Sequence, residues 1–227
     1  MTAPGRAAAP SRVTARPAVF VDRDGVLNEL WYEPDLGTVD SPLRPDQVRL
    51  TPHAVRGVRM LNEANLPCVV VSNQPAVAKG KTSIALLEQV TRRLVTELAA
   101  GGATLDGVYY CLHHPQALQE ALRRRCPHRK PLPGLLRRAA ADLNLDLARS
   151  WMVGDTAVDI RAGRAAGCST AWVGVLRCDT CPTRHGAEAP DLVAADLAEA
   201  VAGILAGPAP DPATAGRAGP RGAAEWS

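Results

Sequence analysis

A chain of 227 residues and 23.9 kDa can bury a sizeable single core, and its six cysteines are too few for a disulfide scaffold of that length. With 46% hydrophobic and 22% charged residues the composition is that of an ordinary globular protein, which excludes a wholly disordered or fibrous chain. The net charge of +3, from 26 basic and 23 acidic side chains, gives no reason to expect a nucleic-acid or membrane partner.

No apolar run approaches the roughly 20 residues that span a bilayer, and residues 1–17 lack the apolar stretch of a secretory signal. A cytoplasmic protein with free thiols is expected. Residues 1–17 and 207–227 are rich in Ala, Gly and Pro and read as disordered tails around one domain at 18–206.

Along that domain, short apolar runs recur at Ala18 to Val21, Cys68 to Val71, Val108 to Tyr110, Trp151 to Val153, Thr170 to Val173 and Asp191 to Val193. Continuous rather than alternating runs of this length suit parallel strands buried on both faces. Between them lie helical spacings: Val55, Val58 and Leu61; Ile84, Leu87, Leu94 and Leu98; then Leu135, Leu136, Ala139 and Leu143. Gly101 and Gly102 can end the second helix, and Pro133 suits the first turn of the third, where its missing N–H costs nothing. The alternation predicts an α/β fold, a Rossmann-like parallel sheet with flanking helices and no large cap domain. Glu29 to Leu50 and Leu112 to Lys130 break the pattern and read as functional loops.

Chemistry gathers where the strands end. Asp22 and Asp24 stand two apart just beyond the first strand, in Asp22-Arg23-Asp24-Gly25-Val26-Leu27-Asn28. A bare D-x-D-G is more often an Asp-rich turn. Here, however, a second strand ends at Ser72-Asn73-Gln74, cations and prolines follow at Arg129-Lys130-Pro131-Leu132-Pro133-Gly134, and another strand ends at Gly154-Asp155, with Asp159 four residues on and able to share a helix face with Asp155. Cys111 and His113, then Cys126 and His128, form two soft pairs spaced for a tetrahedral zinc site across the second loop. Cys68 and Cys168 read as core residues, Cys178, Cys181 and His185 as a loop without a fourth ligand, and Arg123 to Arg125 as a solvated helix face.

In this order, D-x-D-G-V-x-N, S-N-Q, R-K-P-x-P-G and G-D-x-x-x-D, the motifs resemble the haloacid dehalogenase superfamily of phosphatases, over the whole ordered body. More closely they resemble the heptose bisphosphate phosphatases, with histidinol-phosphate phosphatases as near relatives. The resemblance implies that Asp22 is a nucleophile forming an aspartyl-phosphate and Asp24 the general acid and then base. It implies Mg²⁺ held by Asp22, the Asp24 backbone carbonyl and Asp155, with Asp159 supporting. It places Ser72, Asn73 and Lys130 on the phosphoryl group and Asn28 and Arg129 near the substrate. It also implies a structural Zn²⁺ in the 112–130 loop, although this chain has His128 where those phosphatases usually carry a third cysteine. The substrate implied is a heptose 1,7-bisphosphate losing its 7-phosphate, with histidinol phosphate as the alternative. A monomer with a small phosphorylated substrate, and neither nucleic acid nor membrane as partner, is the picture that follows. The rival from another class, a zinc-dependent nucleic-acid-binding module, leaves the ordered acids unexplained.

Overall fold

The computed structural model describes residues 14–35, 37–174 and 189–207. The chain runs β1 (Val19–Val21), β2 (Trp31–Glu33), β3 (Thr38–Asp40), α1 (Ala54–Glu63), β4 (Cys68–Asn73), α2 (Ile84–Ala100), β5 (Gly107–Cys111), α3 (Gly134–Leu143), β6 (Trp151–Gly154), α4 (Ala157–Ala166), β7 (Ser169–Val173), β8 (Leu192–Ala194) and α5 (Leu197–Ala206). Six strands form one parallel sheet in the order β5-β4-β1-β6-β7-β8.

Successive residues of β1 explain the layering. Val19 and Val21 point to one face, against Val58 and Leu61 of α1, Leu94 of α2 and Val201 of α5. Phe20 points to the other, against Leu136 and Ala139 of α3 and Ala162 of α4. Covered on both sides, the inner strands can be apolar throughout, and those are the runs visible in the sequence. Caps fall where side chains can satisfy the free N–H groups: Ser83 accepts from the Leu86 N–H at the start of α2, and Asp196 from the Glu199 N–H at α5. Pro133 takes the cap position of α3, one residue before its first turn, and Gly101 closes α2.

The order also locates a crevice. From β1 the chain builds outward through β4 to β5, then returns to lay β6, β7 and β8 on the other side. β1 is therefore the switch point, and the ends of β4, β1 and β6 border one opening.

The 29–50 stretch is not all loop. β2 and β3 pair antiparallel, with Trp31 opposite Asp40, and a 3₁₀ turn follows at Pro45–Gln47. Lys81, beyond β4, ties down the hairpin through Asp40 at 2.5 Å. The 112–130 stretch stays irregular apart from a 3₁₀ turn at Glu120–Leu122, so Arg123 to Arg125 lie on no regular helix face. Arg123 instead donates to the carbonyls of Ala117 and Leu118 and braces the loop from within. Arg16, inside the expected amino-terminal tail, bridges to Leu145; residues 1–13 of that tail, nearly all of the carboxy-terminal one, and Cys178, Cys181 and His185 lie outside the described residues. Among the described residues no helix is long and apolar enough to cross a membrane.

Candidate active site

β1 delivers Asp22 to the crevice with its N–H still in the sheet, donating to the Val153 carbonyl at 2.9 Å. The chain then turns at Gly25, whose φ of 81° favours glycine and whose missing Cβ leaves room for the Asp155 carboxylate. Asp155 does not share a helix face with Asp159 as its spacing suggested: it precedes α4, whose cap is Thr156. Asp159 is the third residue of that helix, one oxygen accepting from the Thr156 N–H and hydroxyl in a capping box. One carboxylate oxygen from each of Asp22, Asp155 and Asp159 lies within 4.8 Å of the others.

Lys130 joins this acidic group. Its ammonium, almost wholly buried, stands 3.0 Å from Asp22 Oδ1 and 2.6 Å from Asp159 Oδ1, and donates to the Val71 carbonyl at 2.8 Å. Burial pulls the Lys130 pKa down, but Asp159 and then Asp22 outweigh it and leave it raised. The same pair does not rescue Asp22. Burial raises its pKa, Lys130 lowers it, Asp159 raises it again, and the net direction is up. One ammonium is too little for three clustered carboxylates.

Asp155 shows the deficit most clearly. Burial, then Asp159 and Asp22, push its pKa up to about 7, and its Oδ1 is buried without a hydrogen-bond partner. An orphaned oxygen in an all-oxygen cluster that lacks positive charge fits a hard divalent cation such as Mg²⁺.

The remaining predicted residues fall into two sets. Ser72 is buried and hydrogen-bonds to Asp22, so it belongs to the reactive group. Asn73 and Asn28, expected near phosphate and substrate, have internal partners. Asn73 exchanges two 3.0 Å hydrogen bonds with the Lys130 backbone and so holds the lysine in place. Asn28, fully buried, donates to Asp24 Oδ1 and to the Glu29 carbonyl. Asp24 turns its carboxylate toward Arg23, Gln74 and Asn28. Neither Arg23 nor Gln74 was singled out in the sequence. An arginine placed between two acids was the available signal.

In the second loop, Cys111 at the end of β5, His113 and Cys126 bring their ligand atoms within 4.8 Å of one another. Cys111 Sγ is 3.9 Å from His113 Nδ1. His128 lies outside that trio; burial first, then Arg124 and His128, lower the His113 pKa. Burial is the main cause pushing the Cys111 thiol up to about 11, and the neighbouring Cys126 adds to it. Two buried thiols and an imidazole are a donor set for zinc, with three of the four expected ligands brought together. Arg129 donates to the His113 carbonyl at 3.2 Å, which links the loop to the crevice. Cys68 and Cys168 are buried free thiols, and burial pushes Cys168 up to about 12.

Known proteins resemble this chain in sequence and in fold. A HAD-hydrolase-like family model matches residues 127–200. The chain is 39% identical over 154 residues, 68% of its length and 76% of the relative's, to D-glycero-β-D-manno-heptose-1,7-bisphosphate 7-phosphatase of Escherichia coli K12. It is 40% identical over 201 residues to D-glycero-D-manno-heptose-1,7-bisphosphate 7-phosphatase of Thermosynechococcus vestitus, covering 86% of this chain and 98% of that one. Its fold is similar to that of a D,D-heptose 1,7-bisphosphate phosphatase from B. bronchiseptica, solved with magnesium and phosphate. The TM-score there is 0.69 at 28% identity, over 83% of this chain and 98% of that one.

Proposed function

The chain belongs to the heptose 1,7-bisphosphate 7-phosphatase family of haloacid dehalogenase-type sugar-phosphate phosphatases, and from that premise we propose that it removes the 7-phosphate of a D-glycero-D-manno-heptose 1,7-bisphosphate. The observation that carries the reading is the buried Asp22–Lys130–Asp159 group beside the orphaned Asp155 carboxylate, all at the switch point of the sheet. It makes a site for a phosphoryl group and for the charge needed to accept it.

The chemistry follows from the charges. A phosphate monoester repels an anionic nucleophile, so its oxygens must be neutralised while the carboxylate attacks in line. Asp22 attacks phosphorus, the P–O bond to the sugar breaks, and an aspartyl-phosphate forms. Asp24 gives the leaving alkoxide its proton and then takes one from the water that hydrolyses the intermediate. Ser72 and Lys130 hold the phosphoryl oxygens, while Asp159 and Asn73 keep Lys130 aimed. Asp22, Asp155 and the Asp24 backbone carbonyl would hold Mg²⁺, which supplies charge neutralisation at the transferring phosphoryl group. Zn²⁺ on Cys111, His113, Cys126 and His128 would order the second loop and set Arg129 at the mouth. The free described cysteines favour a reducing cytoplasm. Phosphate release from a panel of heptose bisphosphate, hexose bisphosphates and histidinol phosphate tests the substrate, and a preference for histidinol phosphate would overturn the proposal.

Magnesium binding has its own signature. The Asp155 pKa, raised from 3.8 to about 7, means that the folded metal-free protein holds more protons than the unfolded chain across that window. This group therefore removes stability as pH climbs from about 4 to about 7. A bound cation reverses the penalty where Asp155 is ionised but must displace a proton where it is not. Added Mg²⁺ should raise the melting temperature of metal-free protein clearly at about pH 8 and little at about pH 5. Equal rises at both would remove Asp155 from the ligand set.

For zinc, metal analysis of purified protein should find about one ion per chain. Cys126→Ala should lose it. His114→Ala should keep it, because His114 Nδ1 already accepts from the Gln116 N–H within the loop. Zinc-free, fully active wild-type protein would refute the assignment.

A further inference from the structure

We infer that Arg23 and Gln74 are positioning residues that set where the Asp24 carboxylate stands relative to Asp22. The inference rests on the reading of Asp24 as the proton-transfer group and deepens it. Arg23 approaches Asp24 edge-on: Nε is 3.0 Å from Oδ1, and Nη2 is 3.1 Å from Oδ2. Gln74 Nε2 donates to Asp24 Oδ2 at 2.7 Å and to Ser72 Oγ at 3.1 Å, while its Oε1 accepts from Arg23 Nη2 at 2.9 Å. Every polar atom of the Gln74 amide is used, so its orientation has one solution. Reversing it would set its oxygen against a carboxylate and its N–H against a guanidinium.

Through Ser72, which hydrogen-bonds to Asp22, the same amide connects the two acids. Arg23 thus reaches Asp24 directly and through Gln74, and Gln74 spans both halves of the site.

The burial makes a merely space-filling role a poor explanation. Arg23 is 0% exposed and Gln74 1%. Taking a guanidinium out of water is expensive, and apolar residues of similar volume often serve packing equally well or better. The Tyr110 ring, 5.4 Å from the guanidinium carbon, and the Asp24 carboxylate supply the compensation. What such a pairing gives, and an apolar side chain cannot, is a fixed direction for the carboxylate. Its bidentate geometry is available to arginine and not to lysine.

The test separates placement of Asp24 from general damage by varying the leaving group. p-Nitrophenolate departs without a proton, whereas phenolate is a poorer leaving group and gains from one. First-turnover release of phenol and of p-nitrophenol is measured for wild type, Asp24→Asn, Gln74→Leu and Arg23→Lys. Gln74→Leu and Arg23→Lys should lower the rate on phenyl phosphate about tenfold or more, and on p-nitrophenyl phosphate less than about threefold, with KM nearly unchanged. Asp24→Asn should show the same contrast more strongly. Should Arg23→Lys fail to fold, Gln74→Leu alone decides. Equal losses on both esters, or none, in a folded Gln74→Leu protein would overturn the inference while leaving Asp24 in its role. Absence of the contrast in Asp24→Asn would instead overturn the proton-transfer reading, and the inference with it.

Discussion

Asp22→Asn should abolish turnover and leave the fold standing. The amide nitrogen and oxygen match the carboxylate in shape but cannot attack phosphorus, and they offer a cation no negative charge. A loss on the order of 10⁴-fold or more is expected from removing a nucleophile that acts as a unit with its neighbours. Stability should change little. Lys130 keeps Asp159 at 2.6 Å and the Val71 carbonyl at 2.8 Å, so the buried ammonium is not left alone. The substitution also removes one of three crowded carboxylates, and the raised Asp22 pKa shows that its charge is disfavoured there in the metal-free protein. Steady-state phosphate release together with thermal unfolding of the purified variant checks both halves. Near wild-type kcat would end the assignment of Asp22 as nucleophile.

Legibility of this protein from its sequence follows burial. β1, β4, β6 and β7 were visible because helices cover both faces and leave no place for polar alternation. The β2–β3 hairpin was not, since its strands are three residues long, carry exposed Tyr32 and Val39, and bury neither face as a stripe. α5 was hidden for a different reason. Its Ala-rich sequence from Leu197 to Ala206 is apolar nearly all round and gives no clear stripe.

The candidate site divides along a similar line. Asp22, Ser72 and Asp155 could be picked out because each stands where an apolar run stops. Their supports could not. Gln74 meets Arg23 across 51 positions and Asn73 meets Lys130 across 57, pairings that exist only once β4 lies beside β1 and the second loop has returned to the sheet. Asp159 misled in an informative way. Its spacing from Asp155 suggested two acids on one helix face, whereas the helix begins between them and gives each a separate task.

That division bears most directly on Lys130, the residue joining the two halves. Lys130→Met keeps most of the side-chain volume and removes the ammonium, leaving Asp22 and Asp159 facing each other without their shared cation and the Val71 carbonyl without its donor. Breaking a buried ion pair from one side costs about 3–5 kcal/mol, so the variant should melt well below wild type as well as lose turnover. The two losses can be separated. Adding Asp159→Asn removes the carboxylate stranded on the far side of the lysine, and the amide oxygen it introduces can still accept from Thr156 at the start of α4. The double variant should recover much of the lost stability, a coupling on the order of 1–3 kcal/mol for groups in direct contact, and recover none of the activity, because the ammonium that holds the phosphoryl oxygens alongside Ser72 is still missing. Denaturant unfolding of both single variants and the double variant measures the coupling, and phosphate release measures the rest. Wild-type stability in Lys130→Met would show that the buried group does not need its cation, and additive losses in the double variant would break the link drawn between Lys130 and Asp159.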